Sequence, residues 1–315
     1  MANEYQRIAL EARKRVSKLT LEQQKELLKL YESTIDSLAV KVSKSKDKGL
    51  TQRWLLDYKK ELTRVKKELA KEIEALTRTG IIKAANIGTE AEQQIMSKIF
   101  EYAGIDTGNH FVTMFSQVPK DIVEDIINGG LYKDKLTLSQ RIWNHSGAFE
   151  KDIQYVINQG LLEKKSAIEL AKDLEQYIRE PAKRPTTWGK AYPHLKNKVV
   201  DYNSMRLART SINHAYQNST IKSSGMNPFV EGIRWRSALI HGRTCDLCRE
   251  RHDTVYAIDE VPMDHANGLC TMLPEISKSL DQVADELKGW LDGGSNSKLD
   301  LWNQEYGSYF ATKKL

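Results

Sequence analysis

Cys245-Asp-Leu-Cys248 is the stretch of this sequence best suited to chemistry. A Cys-x-x-Cys turn sets two thiols to chelate one ion, and His265 and Cys270 follow as a second pair. All three cysteines of the chain fall within the 26 residues from Cys245 to Cys270. A set so small, odd-numbered and clustered fits a local metal site in a reducing compartment better than a disulfide framework. A Cys₃His set favours Zn²⁺, and a closed shell of four ligands leaves no place for a catalytic water. The expected metal ligands are therefore Cys245, Cys248, His265 and Cys270, around a structural zinc. The His-x4-Cys spacing of the second pair is loose, so His241 and His252 compete for the nitrogen position. Three other readings of the cysteines stand beside this one: a redox pair, which lacks a thioredoxin-like βαβ setting here, three free thiols, and a catalytic metal. Structural zinc suits the energetics, since residues 231–275 are too few to hold themselves together by apolar burial.

The elements that must position these residues are mostly helical. Tyr31, Ile35, Leu38 and Val42 step by helical spacing within an apolar pattern that runs from Ile8 to Val42. A polar stretch closes it by Gly49, and Thr51 is a plausible N-cap for a second helix. Leu55, Tyr58, Leu62, Val65, Leu69, Ile73 and Leu76 continue the same periodicity to Arg78, a helix of about 42 Å. The spacing predicts an αα-hairpin that ends at Gly80, each stripe burying on the other or on a partner. Shorter helices are predicted over 89–103, 119–128, 137–158 and 166–178, the last with Ser166 and Glu169 as a capping box. Residues 181–193 carry three prolines and read as a hinge or surface loop. The helix over 196–223 presents Arg206, Arg209, Asn213 and Tyr216 on one unusually polar face. After Pro228 the alternation of residues 232–237 and 254–258 reads as strand, and a helix returns over 277–291. The aromatic tail after residues 293–297 is left open between packing back and docking on a partner.

The fold class expected is thus mainly α, with a small C-terminal α+β module around a structural zinc site. Its divisions are a basic helical hairpin arm (1–79), a helical middle (80–185), the Cys/His module (186–292) and a tail (293–315). The 315 residues suit about two domains, and 40% apolar residues suffice for a core. A mean hydropathy of −0.55, the lack of an apolar run of about 20 residues and a charged N-terminus predict neither membrane span nor secretory signal.

Charge is uneven. Residues 1–79 hold 19 Lys+Arg against 12 Asp+Glu, whereas residues 80–315 hold 29 against 30. Such a segment can meet a polyanion such as DNA or an acidic protein, although a solvated helix face explains it more simply. The Cys/His module is acidic, with 3 basic against 6 acidic residues between 243 and 270. A duplex bound there would approach against the field.

One set of landmarks goes further. Ala208-Arg-Thr-Ser, Trp235-Arg-Ser, Arg243-Thr-Cys-Asp-Leu-Cys248, Pro262-Met-Asp-His265 and Cys270 resemble, in order and spacing, the phage head morphogenesis family of Mu F-like minor head proteins. The resemblance covers about residues 150–275. The usual His-Pro-Asn-Cys-Arg-Cys ending of that family is here His265-Ala-Asn-Gly268-Leu-Cys270, so one thiol is missing at Gly268 and Cys270 supplies the fourth ligand. The resemblance implies a minor capsid protein of a tailed bacteriophage, in few copies, entering the prohead during assembly in the host cytoplasm. Its implied place is the capsid interior or portal vertex. Its implied partners are the portal protein and the major capsid or scaffold protein, with packaged DNA reached through the basic N-terminal arm.

An enzyme is not expected. A His-Asn-His nuclease needs a metal-binding histidine on the helix after the hairpin, and residues 275–291 contain none. Asp246, Glu250, Asp253 and Asp264 are a conceivable Mg²⁺ site but read more simply as surface groups. No phosphate loop, nucleophile elbow or nucleotide fingerprint is present. A DNA-binding zinc protein is the main alternative, and a metal-dependent nuclease a weaker one. Arg209 and Arg243 are read as internal ion pairs, with Asp246, Asp253 or Asp259, before anion contacts. Trp235 is read as a core anchor before a stacking platform.

Overall fold

The computed structural model describes residues 4–44, 52–163, 165–177, 186–195, 200–242 and 244–310. The chain is mainly helical, with a small three-stranded sheet. It divides into two compact units, each assembled from separated segments. One contains Met1–Thr20, Thr79–Ile126 and Thr210–Leu315; the other contains Leu21–Arg78 and Ile127–Arg209. Among the described residues no helix is long and apolar enough to cross a membrane.

Two long helices lead, α1 (Glu4–Ser43) and α2 (Gln52–Tyr102). Within Leu21–Arg78 they bury the expected stripes: Leu27, Tyr31, Ile35, Leu38 and Val42 on α1, and Tyr58, Leu62, Val65, Leu69 and Ile73 on α2. The connection at 45–51, with its Thr51 cap, lies outside the described residues. Helix α5 (Leu138–Leu162) packs on this pair: the Phe149 ring meets Tyr31 edge-on at 5.8 Å, and Lys66 donates to Glu150 at 2.8 Å. Of the expected 1–79 arm, Leu21–Arg78 thus packs with α5 inside its own unit, and Met1–Thr20 belongs to the other unit. A capping box of Thr137 and Gln140 starts α5, and Ser166 and Glu169 cap α6 (Ala167–Tyr177) reciprocally. The proline-rich 181–193 segment is not wholly loop. Where it is described it forms α7 (Thr186–Ala191) and a 3₁₀ turn at Pro193–Leu195.

Gly80 does not end the second helix, because α2 continues to Tyr102 and absorbs the helix expected at 89–103. A mid-helix glycine costs only about 1 kcal/mol relative to alanine. Burial of Ile81, Ala84, Ala85, Ile95 and Ile99 on the continuing stripe outweighs that cost. Gly88 then lets α8 (Val200–Ser224) approach closely, since a Cβ there would lie 2.6 Å from the Tyr216 carbonyl oxygen. The short α3 (His110–Met114) and α4 (Val118–Ile127) complete this helical layer.

The sheet follows α8. Its order is β2-β1-β3, all antiparallel: β1 is Gly232–Arg236, β2 Val255–Tyr256 and β3 Thr271–Glu275. Between β1 and β2 lies the one-turn helix α9 (Asp246–Glu250). Trp235 is fully buried with Ile233, Cys248, Cys270 and Met272, so it is the core anchor expected. After β3, a Ser279–Gln282 capping box opens α10 (Leu280–Leu291), and α11 (Ser297–Tyr306) follows. The tail packs back on its own unit: Trp302 is buried, donates to the Met226 carbonyl at 2.9 Å and joins Phe100 and Phe310 in an aromatic cluster.

Candidate metal centre

Cys245 is the N-cap residue of α9 and Cys248 lies inside it, so a single helical turn turns both thiols to one side. His265 and Cys270 come from the loop that leads into β3. His265 Nε2 stands 3.4 Å from Cys245 Sγ and 3.2 Å from Cys248 Sγ. Cys270 Sγ is 3.5 Å from Cys248 Sγ. Cys245, Cys248 and His265 form one group with metal-binding potential, while Cys248, Asp264 and Cys270 form a second that shares Cys248. The four residues expected as ligands are close together and can bind a metal. They line a cavity of about 140 Å³ with Ala238, Ile240, Thr244 and the 266–269 loop.

The donor set fits zinc. Bond lengths of about 2.3 Å to sulfur and 2.0 Å to nitrogen put tetrahedral ligand atoms roughly 3.5–3.8 Å apart, close to the three separations just given, while Cys270 falls in a group with Cys248 and Asp264 and not with Cys245 and His265. Backbone and side chains hold the ligands in place. Ser237 Oγ accepts from the Trp235 indole at 3.1 Å and donates to the Cys248 carbonyl. His265 Nδ1 faces its neighbour's carbonyl, Ala266 O, at 3.0 Å, which leaves Nε2 toward the sulfurs. Neither competing histidine joins the cluster. His252 Nδ1 accepts from the Ser237 backbone at 3.2 Å and its Nε2 lies 3.2 Å from Asp253, while His241 sits exposed on the preceding turn.

The thiols are not equivalent. The Cys248 backbone N–H, then the Cys248 thiol and His265, hold exposed Cys245 below the ordinary cysteine range. Burial, reinforced by the flanking cysteines, pushes Cys248 up, and burial beside Asp264 does the same to Cys270. The Ala266 carbonyl, then Asp264 and Cys245, raise His265. A metal cation here must displace protons from buried thiols, so its binding releases protons and strengthens with rising pH.

The residue that organises the loop is Asp264, which is buried. Its Oδ1 accepts from the His265 backbone at 2.9 Å; its Oδ2 accepts from Asn213 at 3.2 Å, Gln217 at 3.1 Å and the Cys270 backbone at 3.4 Å. Asp264 is therefore not a surface carboxylate, and the four acids do not assemble into a Mg²⁺ site among the described residues. Asp246 pairs with Arg249 and Asp253 with Arg236. Gly268 acquires a reason: a Cβ there would fall 2.1 Å from Asp264 Oδ2. A cysteine at 268 and this carboxylate cannot share the space.

No family model, no curated protein and no solved structure matches the chain. The site thus rests on its own geometry. Sequence reading had singled out Asn213 as part of a polar helix face, and the structure gives that face its purpose: Asn213 and Gln217, one turn apart on α8, reach the ligand loop. Arg13 was missed, and Ser237 entered only within the Trp235-Arg-Ser landmark. Nothing local in the sequence marks Arg13, whose contacts are Asn213 and the Leu269 carbonyl. Arg209 Nε is 2.8 Å from the Gln24 amide oxygen when that amide faces it, and Arg243 lies outside the described residues. Much of the N-terminal positive charge is engaged close by, as in Arg15–Glu90, Lys41–Glu61 and Lys66–Glu150.

Proposed function

We propose that this protein is a non-enzymatic structural component of a tailed-phage head, a minor capsid protein whose Cys/His site holds a structural zinc. The observation that carries the zinc assignment is the gathering of Cys245, Cys248, His265 and Cys270 against the Trp235 core. Two of these thiols are buried in that core, a setting suited to a staple and poorly suited to substrate access. The head assignment rests on the order of landmarks from Ala208 to Cys270 that resembles the Mu F-like minor head proteins. Partners under this reading are the portal protein and the major capsid or scaffold protein, and the site of action is the capsid interior or portal vertex.

Two experiments test the two halves separately. Elemental analysis of the purified chain should find one zinc per chain, and chelation should lower its melting temperature; a metal-free chain with an unchanged transition rejects the staple. Co-expression with portal and capsid proteins should incorporate the chain into proheads, and its absence from purified particles rejects the head assignment. The N-terminal charge asymmetry favours a second contact, with packaged DNA. Reversal of the exposed Lys18, Lys25, Lys67 and Lys71 to Glu spares the buried stripes and should abolish any salt-sensitive DNA retention.

A further inference from the structure

The ligand loop is held from the far end of the chain. Arg13, on the first half of α1, donates from Nη1 to Asn213 Oδ1 at 2.6 Å and from Nη2 to the Leu269 carbonyl at 3.0 Å. Asn213 passes the contact on to Asp264, and Asp264 fixes the backbone of both His265 and Cys270. Gln217 adds a bond to the Cys270 carbonyl at 2.8 Å, and Thr210 accepts from the Asn267 backbone at 2.8 Å. The Asp264 carboxylate thus takes four donors, one on Oδ1 and three on Oδ2, and so ties the loop to α8. Arg13 is a cation attracted by this buried carboxylate, which it reaches through Asn213.

We propose that metal binding at the Cys/His site fastens residues 4–20 of α1 to the C-terminal module, with Arg13 and Asp264 as positioning residues for the ligands. The inference rests on the zinc reading above and adds a consequence: the metal orders the N-terminal segment as well as its own loop. The physical reason is reciprocity. A ligand loop pinned by zinc presents the Leu269 carbonyl and Asp264 to α1 in one arrangement. An Arg13 already docked holds the loop ready for the metal, so each stabilises the other. Other contacts of this segment run to α8 and α2 and do not involve the loop: Tyr216 OH donates to the Ala9 carbonyl at 3.3 Å, Arg15 pairs with Glu90 at 2.7 Å and Lys98 pairs with Glu4 at 3.3 Å.

The test uses the full chain and two readouts. Amide hydrogen exchange is followed in peptides covering 4–20, 138–162 and 264–270, before and after removal of zinc with a chelator. Exchange should rise about tenfold in 4–20 and 264–270 together and stay unchanged in 138–162. Separately, Co²⁺ is titrated into the metal-free chain and displaced by Zn²⁺. Arg13→Met should weaken metal binding about tenfold, as outer-shell partners commonly do. Its thiolate-to-cobalt absorption should keep the wild-type shape, because the ligands are intact. Arg15→Met, which removes an exposed pair on the same helix, should bind metal as wild type does. Stoichiometric zinc with 4–20 indifferent to chelation, equal deprotection of all three peptides, or wild-type affinity in Arg13→Met would each overturn the inference while leaving the zinc site standing. A chain that takes up no metal overturns both.

Discussion

Residues 21–78 and residues 232–275 reach order by opposite means. The two helices of the first region bury Leu27, Tyr31, Ile35, Leu38, Leu62, Leu69 and Ile73 in a continuous stripe. The second region has a core of five buried residues, two of them cysteines, and depends on hydrogen bonds around Asp264 and Ser237. Apolar burial at about 25 cal/mol per Å² is non-directional and tolerates small errors of position. Hydrogen bonds and metal ligands are directional, so the second region needs each partner where it is. Damage should therefore be graded in the helices and close to all-or-none in the module.

The largest effect is expected from Cys248→Ser. Cys248 belongs to both donor groups and to the Trp235 core, so its loss opens the site from either side. Structural zinc contributes about 10–16 kcal/mol in isolated finger peptides. Here helix α8 also supports the loop, and a loss on the order of 5 kcal/mol is expected, with zinc content falling to zero. Calorimetry with and without chelator checks it: the variant's transition should no longer respond to chelator. Leu62→Ala comes next, at about 2–5 kcal/mol for a large-to-small change in a packed stripe. It should leave zinc content at wild type, and coupled loss of zinc would break the contrast between the regions.

Glu92 sharpens the comparison, because it is a buried polar group among helices. Its carboxylate oxygens face Asn227 Nδ2 at 2.6 Å and Ser224 Oγ at 3.0 Å, and burial pushes it up to about 7. A carboxyl whose folded pKa lies above its unfolded value holds its proton better when folded. Stability from this group is greatest below about pH 4.5 and declines as pH rises to about 7, then levels off. Glu92→Gln keeps an acceptor for Asn227 and removes the ionisation. It should raise stability at pH 8 by about 3 kcal/mol and flatten the profile between pH 5 and 7, at roughly 1.4 kcal/mol per unit. Urea unfolding at several pH values measures this; a slope equal to wild type would refute the assignment.

What the sequence made legible follows the same division. Helices carried by periodicity and by paired caps, such as Ser166 with Glu169, were readable because both signals are local. The gathering of the four expected ligands was readable because Cys245, Cys248 and Cys270 are the only cysteines and lie close together in sequence. Gly80 misled because burial on both sides of it overrides a local breaker. Strand β3 was hidden by Pro274, which cannot donate to a ladder; it is tolerated because β3 lies at the edge of the sheet, paired on one side with β1. Arg13 was invisible because it meets Leu269 across 256 residues of sequence, and no spacing rule reaches that far.

The smallest expected effect separates the two regions by their ion pairs. On the helices, Arg64 reaches Glu61 and Glu68 while about half exposed, the kind of pair worth a few tenths of a kcal/mol and screened by salt. In the sheet, Arg234 meets Glu275 with two parallel bonds, Nε at 2.8 Å and Nη2 at 2.5 Å, and with both side chains largely covered. Those two bonds hold β1 to β3, the strand that follows Cys270. Lysine can replace arginine as a point charge but cannot form the fork. Arg64→Lys should thus be silent within about 0.3 kcal/mol, whereas Arg234→Lys should cost about 1 kcal/mol. Their salt dependence should differ as well, with 1 M NaCl erasing what remains of the first and sparing most of the second. Equal effects would mean that the sheet is no more demanding of geometry than the helices. The directional account of the module would then have to rest on the metal ligands alone.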